Sequence, residues 1–438
     1  MTTHAENELL TQVGPGTPMG ALMRQYWMPA CLSSELMADG DPLRLALLGE
    51  RLIAFRDTGG KIGIFDHRCP HRCASLFYGR NEEGGLRCIY HGWKFDAEGN
   101  CLDMPNLPAA QEFRDKVKAR AYRAAERNGI VYVYMGERQA APPPLPMLEA
   151  MLCPAGELSI VCRQRECNWL QALEGDIDTS HFSFLHTGKI KAEDIDPGHL
   201  ERFQFTDRAP RYHVKRTDWG AMYAAYRPAE SGYTYYRFAH FAMPFWTLFP
   251  NGPIADNIIA QGWVPMDDTH TMVFTFTWTR KTPVIGTLKT GEPFPLLDRL
   301  MPTLPNTTDW FGRWRSVQNS ENDYQIDRNA QRTISFSGIA GVFSQDSAVT
   351  ESMGAITDRA LETLAPSDVM IATTRRQLLD AARALRETGR VPPLVDDTET
   401  AFEARSGDLI APESQPWLEA YQAAIRQAVH AAMPVAAE

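Results

Sequence analysis

The stretch Cys69–Trp93, CPHRCASLFYGRNEEGGLRCIYHGW, decides how the N-terminal part of the chain is read. It holds Cys69-x-His71, then sixteen intervening residues, then Cys88-x-x-His91. Two short Cys/His pairs at this separation suit two loops that pinch one metal centre between them. Zinc takes the same residue types. Three details point away from zinc: the first arm is C-x-H rather than C-x-x-C or H-x-x-x-H, Pro70 follows the first cysteine, and Gly92 and Trp93 follow the second histidine.

On these residues the segment resembles Rieske domains. The resemblance implies a [2Fe-2S] cluster in which Cys69 and Cys88 hold one iron while His71 and His91 hold the other. Replacing two thiolates by imidazoles raises the reduction potential, which suits a cluster that receives electrons and passes them on. Respiratory Rieske proteins staple the two loops with a disulfide whose second cysteine directly precedes the second histidine. Here that position is Tyr90, so Cys73 is read as a packed thiol at a position where a small residue is usual, and His67 as a surface or packing histidine.

Outward from this motif, short runs rich in β-branched and aromatic residues predict strands at Leu43–Leu48, Arg51–Arg56, Lys61–Phe65 and Gly129–Met135, a small antiparallel barrel or sandwich. Ala140–Pro146 contains three consecutive prolines and can neither pair centrally nor continue a helix. This stiff connector sets the expected boundary between an N-terminal segment plus Rieske domain (1–145) and a second domain (146–438). In the second part, Met222–Arg227, Tyr233–Phe241 and Thr271–Thr279 read as strands, and Asp368–Arg386 and Trp417–Ala431 as helices. The expected class is α+β: an all-β N-terminal domain, then a catalytic domain with an antiparallel sheet flanked by helices.

A lone Rieske domain is an electron carrier, so function turns on the run Asn168–His186, NWLQALEGDIDTSHFSFLH. It contains Asp178-x-x-His181, four residues, then His186. Two histidines and a carboxylate with open coordination positions make the facial triad of non-haem Fe(II) oxygenases. The geometry carries a tension: Asp178 and His181 are neighbours on a helix, whereas His186 falls about 140° round from His181. The helix is therefore distorted here or ends before His186.

With both motifs present, nearly the whole chain resembles the α-subunits of Rieske aromatic-ring oxygenases. The resemblance implies that His181 and His186 ligate a mononuclear Fe(II), and that Asp178, not a ligand, bridges a ligand histidine to a cluster histidine of a neighbouring subunit. The third ligand is a downstream carboxylate, for which Asp323, Asp327, Asp346 and Glu351 are available. The run GVFSQDSAVTESMG followed by ITDR resembles the phthalate 4,5-dioxygenase-like branch and points to Asp346. That branch has no separate β-subunit, and its members form head-to-tail trimers, single or stacked.

The resemblance further implies a separate reductase, carrying flavin and an iron–sulfur centre, that passes electrons from NAD(P)H to the cluster, with O2 as co-substrate. The expected reaction is ring dihydroxylation of a small aromatic acid such as a phthalate, halobenzoate or phenoxybenzoate. The alternatives are O-demethylation of a methoxylated lignin-derived acid, and a Rieske electron carrier without oxygenase activity. Arg208, Arg211, Arg227 and Arg237 are candidates to hold the carboxylate, with the aromatic run Tyr233–Phe249 lining the pocket.

Composition bounds these readings. A chain of 438 residues, 44% hydrophobic and 22% charged, has room for two cores. A net charge of −10 disfavours nucleic acid. No run of about 18 apolar residues and no secretory signal pattern is present, and eight scattered cysteines read as thiols or ligands, so a cytoplasmic protein is expected.

Overall fold

A computed structural model of the chain describes residues 2–282, 286–297 and 302–431. Two short helices, α1 (His4–Thr11) and α2 (Pro18–Met23), open the chain. Ten strands follow: β1 (Trp27–Leu32), β2 (Leu43–Leu47), β3 (Glu50–Arg56), β4 (Ile62–Asp66), β5 (Arg80–Glu82), β6 (Gly85–Arg87), β7 (Lys94–Phe95), β8 (Cys101–Asp103), β9 (Ala121–Arg127) and β10 (Ile130–Tyr134). They form an antiparallel sheet in the order β1-β10-β9-β4-β3-β2 and a smaller one in the order β5-β6-β7-β8. The β9–β10 hairpin turns through Asn128 and Gly129, both at positive φ (48° and 85°). That conformation matches strand twist and is cheapest for this residue pair. The strands expected here are present with their ends moved by a residue or two.

The second part begins with β11 (Leu158–Arg165), α3 (Trp169–Asp176) and α4 (Phe203–Thr206). Then come β12 (Arg211–Arg216), β13 (Gly220–Pro228), β14 (Tyr233–Ala242), β15 (Trp246–Leu248), β16 (Ile259–Pro265) and β17 (Thr271–Trp278). The chain ends with α5 (Arg328–Thr333), α6 (Val342–Ser352), α7 (Val369–Thr388), β18 (Gly407–Pro412) and α8 (Trp417–Gln427). The antiparallel sheet runs β11-β17-β16-β15-β14-β13-β12, and β14 is long enough to pair β15 at one end and β18 at the other of the same edge. Helix α8 stops four residues short of the expected Ala431. Ala428 has already left the helical region, and the His430 ring reaches back to the Ile425 carbonyl at 2.9 Å, closing the helix end.

One core joins the two parts. Trp27, Tyr134, Trp246, Trp263 and Leu378 belong to the same buried apolar cluster, so the N-terminal sheet rests directly on the C-terminal one. The β2–β3 turn docks by two backbone bonds, Leu48 N–H to Pro265 O and Gly49 N–H to Met266 O, at 3.0 and 2.9 Å. The proline segment is pinned as well, because Trp27 Nε1–H donates to Pro143 O at 2.7 Å. Among the described residues, no helix is long and apolar enough to cross a membrane.

His240 on β14 is fully buried, with Nε2 2.9 Å from Arg405 O and Nδ1 without a partner among the described residues. Burial keeps the ring neutral and pushes its pKa down to about 4. An unfolded histidine binds its proton near 6.5, so as pH falls from about 6.5 to about 4 the unfolded state holds the extra proton and folding stability is lost. In denaturant titrations across that window, His240→Gln should lose less stability than the parent, by something of order 3 kcal/mol.

Candidate functional site

The four residues of the first motif sit on two matching loops at one end of the small sheet, one between β4 and β5 and the other between β6 and β7. Each loop closes a tight turn on its cysteine: Cys73 N–H donates to Cys69 O, and Gly92 N–H to Cys88 O, both at 2.9 Å. Backbone amides of His71 and Arg72 face the Cys69 sulfur, and those of Tyr90 and His91 face the Cys88 sulfur. The two thiols perturb each other in opposite senses: the neighbouring sulfur pulls the Cys88 pKa down and, with burial, pushes that of Cys69 up. The cysteines are buried and the histidines half-exposed, their rings 4.4 Å apart, with His71 stacked on Trp93. A pair of sulfurs cradled by amides, beneath a pair of solvent-facing imidazoles, fits a [2Fe-2S] cluster with unlike ligands on its two irons.

Cys73 corrects the expectation of a packed thiol, because its side chain is exposed. Its φ of 59° makes it the counterpart of Gly92 (φ 78°) in the partner loop, and this left-handed turn position directs the side chain to solvent. A Cβ at Gly92 would lie 2.5 Å from the Pro105 ring, so that loop has room only for glycine.

The second site is built on α3. Asn168 caps the helix through Leu170 N–H, and its amide bonds the carbonyls of Thr11 and Asp268. Gln171 binds three backbone groups, Thr350 O, Gly354 O and Thr357 N–H, which fastens α3 to the C-terminal end of α6. Buried Glu174 is clasped by Arg359 and Arg375. Burial alone would raise its pKa, but the two guanidiniums hold it below the usual carboxylate range. Helix α3 ends at Asp176, and the next ten residues form an irregular loop. The single turn His181–Ser183 lies within it, so Asp178 and His181 are not neighbours on a helix. Asp178 itself stops helical continuation, since its Oδ1 accepts from Ser180 N–H and Oγ–H. Arg208 holds the loop by its carbonyls, bonding Ser183 O, Gly188 O and Ile190 O.

This loop brings His181 and His186 together against Asp346, in the middle of α6. His181 Nε2 and His186 Nε2 are 3.1 Å apart, and Asp346 Oδ1 lies 3.6 and 3.1 Å from them. Three ligands at right angles, each roughly 2.1 Å from one metal, stand about 3 Å apart, so the separations are those of a facial triad. Each histidine is oriented from behind. His186 Nδ1 is 2.6 Å from Gln345 Oε1, a contact that requires Nδ1–H and leaves the Nε2 lone pair for a metal. His181 Nδ1 is 3.5 Å from Asp178 Oδ2. Burial works against a charged imidazole, but Asp178, Asp346 and Asp176 together pull the His181 pKa up to about 9. The same concentrated negative potential favours a cation.

Of the four carboxylates considered for the third position, the structure brings Asp346 alone to the histidines. Asp327 caps α5, Asp323 is exposed in a turn, and Glu351 accepts from Tyr324 O–H and Glu166 N–H. The triad opens on a cavity of about 270 Å³. Of the arginines expected there, Arg237 lines it, together with Phe249 at the end of the aromatic run. Arg208 serves the loop, Arg227 bonds Asp207 O, and Arg211 is exposed on β12. Most aromatic side chains of Tyr233–Phe249 pack into cores instead, Phe238 against Tyr421 and Trp246 against Phe276. Sequence reasoning missed Arg165, Asp176, Thr179 and Gln345. Gln345 was in view beside Asp346, and the other three had no distinguishing pattern.

The Rieske [2Fe-2S] domain family matches residues 26–114, and the family described as LigXa C-terminal domain like matches residues 133–437. The 3-chlorobenzoate-3,4-dioxygenase oxygenase subunit of Comamonas testosteroni is 51% identical over 96% of this chain and 98% of its own length. The phthalate 4,5-dioxygenase oxygenase subunit of Pseudomonas putida is 38% identical over 88% and 87%. The chain belongs to the Rieske oxygenase family. A solved structure of NdmA from Pseudomonas putida CBB5 with caffeine shares the fold, with a TM-score of 0.56 at 20% identity over 91% of this chain and 100% of that one. This Rieske oxygenase therefore carries a [2Fe-2S] cluster and a mononuclear non-haem iron, and works as the oxygenase component beside a reductase.

Two substitutions separate the centres. Asp346→Ala should lose the mononuclear iron while leaving the visible absorption of the cluster unchanged, because the two sites share no ligand. Gln345→Met keeps the bulk but removes the acceptor behind His186, and should weaken iron retention about ten- to a hundredfold in a chelator competition.

Proposed function

We propose that this Rieske oxygenase oxidises the ring of an aromatic monocarboxylate, with Cys69, His71, Cys88 and His91 holding the cluster and His181, His186 and Asp346 holding the iron. The observation that carries the reading is the shared cavity, lined both by the triad and by the buried Arg237. Arg237 is poised by Thr179 Oγ1 on Nε, Pro250 O on Nη2 and Asp408 at 3.4 Å from Nη1. Its charge is balanced by Asp408, and the N–H groups these partners leave free are what it offers a substrate carboxylate in the cavity. The two relatives named above act on a chlorobenzoate and a phthalate, which agrees with an anionic aromatic substrate.

When bound, the cluster supplies single electrons and the iron activates dioxygen. The protein's part is placement. Arg237 fixes the acid, Gln345 and Asp178 fix the imidazoles, and the apolar walls Phe182, Phe249 and Phe343 keep water from the ring. We assign Asp178 the coupling role. Its carboxylate lies behind His181, and its side chain is 22% exposed, open to a partner from another chain. Head-to-tail trimers are part of this reading. The cluster histidines are surrounded by exposed Ile89, Tyr90 and Phe113, an apolar rim suited to burial against a neighbouring copy. We place the boundary between the domains at the proline segment. We place the protein in the cytoplasm, where a reducing pool keeps as thiols the cysteines other than Cys69 and Cys88.

Incubation with a panel of benzoates and a generic reductase, followed by mass analysis, tests the reaction. A cis-diol or catechol is expected, and formaldehyde from methoxylated acids would assign demethylation instead. Asp178→Asn should keep both metal centres and lose nearly all turnover. Arg237→Lys retains the charge opposite Asp408 but loses the fork, and should weaken binding of benzoate about tenfold while leaving benzamide unchanged.

A further inference from the structure

The sheet side of the cavity carries a polar row that the reaction so far does not use. Thr247 on β15, Gln261 on β16 and Thr275 on β17 are direct cross-strand partners and share one face. Apart from a longer contact of Thr247 Oγ1 with Gln261 O at 3.3 Å, their hydrogen bonds run toward Asp176. Thr275 O–H donates to Gln261 Oε1 at 2.6 Å, and Gln261 Nε2–H donates to Asp176 Oδ2 at 3.3 Å. Trp263 Nε1–H donates to Thr247 Oγ1 at 2.9 Å, and Thr247 O–H donates in turn to Asp176 Oδ2. Two side chains, Thr247 and Gln261, thus donate to one oxygen of one carboxyl group at the end of α3, each backed by a further donor, Trp263 and Thr275. The other oxygen, Oδ1, has no hydrogen-bond partner among the described residues, and Asp176 lines the cavity.

We propose that Asp176 is a specificity-determining residue whose free Oδ1 accepts a hydrogen bond from an amino or hydroxyl group on the substrate ring, so that the cavity selects donor-bearing aromatic acids. The inference rests on the aromatic-acid reading and deepens it. Satisfying Oδ2 from one side fixes the carboxyl plane and leaves Oδ1 as the acceptor still open on this residue of the cavity lining. A ring group that can only accept meets an unpaired oxygen there, and a second carboxylate meets like charge. Burial, together with the nearby charge of Asp346, pushes the Asp176 pKa up to about 7 although the Thr247 bond opposes it, so Oδ1 is a pure acceptor only above that pH, where the comparison below is made.

The orientation of the network makes the proposal testable by reversing polarity. In Asp176→Asn, the donors Thr247 and Gln261 hold the amide oxygen where Oδ2 stood, which turns the amide N–H₂ to the cavity. Calorimetry on the purified, iron-loaded protein would compare the meta and para isomers of aminobenzoate (donor) and methoxybenzoate (acceptor only), with benzoate as reference. The parent should bind one aminobenzoate isomer about tenfold more tightly than the matching methoxybenzoate. Asp176→Asn should reverse that order, leaving benzoate within about twofold and the iron content unchanged. A parent without preference, or a variant that weakens all five acids by the same factor, overturns the role of Asp176. A parent that binds no benzoate, or an Arg237→Lys variant that binds benzoate and benzamide as the parent does, overturns the carboxylate reading itself.

Discussion

Two imidazole nitrogens and one carboxylate oxygen must meet within 3.1 to 3.6 Å of one another, although Asp346 lies far along the chain from His181 and His186. That convergence is the constraint on which the C-terminal domain depends. Like-charged or lone-pair-bearing groups do not collect spontaneously, so each is held from behind. Gln345 holds His186, Asp178 backs His181, and α6 carries Asp346 from a position fixed by Gln171 and Thr350. The sheet supplies a rigid floor for the cavity, and the N-terminal domain is seated on the edge of the same core.

Holding such a site means burying charge, and the fold does so in compensated groups. Glu174 between Arg359 and Arg375, Glu149 against Arg405, and Asp408 opposite Arg237 place each buried carboxylate beside a guanidinium. A buried ion pair contributes little net stability compared with an apolar pair of similar volume, but removing one partner leaves a costly unpaired charge. These groups therefore act mainly as registration points. The Glu174 clasp sets the height of α3, and α3 sets where the histidine loop begins. Arg237 and Asp408 fix one cavity wall in the same manner.

Much of this was legible in the sequence, because the chemistry demands unusual residues at short range. Cys69-x-His71 with Cys88-x-x-His91, and Asp178-x-x-His181 with His186, declare themselves by spacing, and runs rich in β-branched and aromatic residues announced four strands of the six-stranded sheet and three of the C-terminal sheet, but none of the small sheet β5–β8. What was hidden depends on long-range register. The aromatic run Tyr233–Phe249 reads as a pocket lining, yet β14 is covered on both faces and most of its rings are core. Arg237 could not be told from Arg208 or Arg227 until the backbone showed which guanidinium faced the cavity and which served carbonyls. Asp176 looked like one more acid in a helix. Its significance appears only when Thr247, Gln261 and Trp263, from strands far along the chain, all point toward it. Cys73 misled for a local reason, since a thiol among cluster ligands invites burial whereas a left-handed turn position turns it outward.

The account requires two metal centres in one chain, and metal stoichiometry tests that most directly. Iron, acid-labile sulfide and zinc would be quantified per chain in natively purified protein. Three irons and two sulfides with no zinc are expected. Two irons with two sulfides would make the His181, His186 and Asp346 convergence something other than an iron site, and stoichiometric zinc at Cys69, His71, Cys88 and His91 would contradict the cluster.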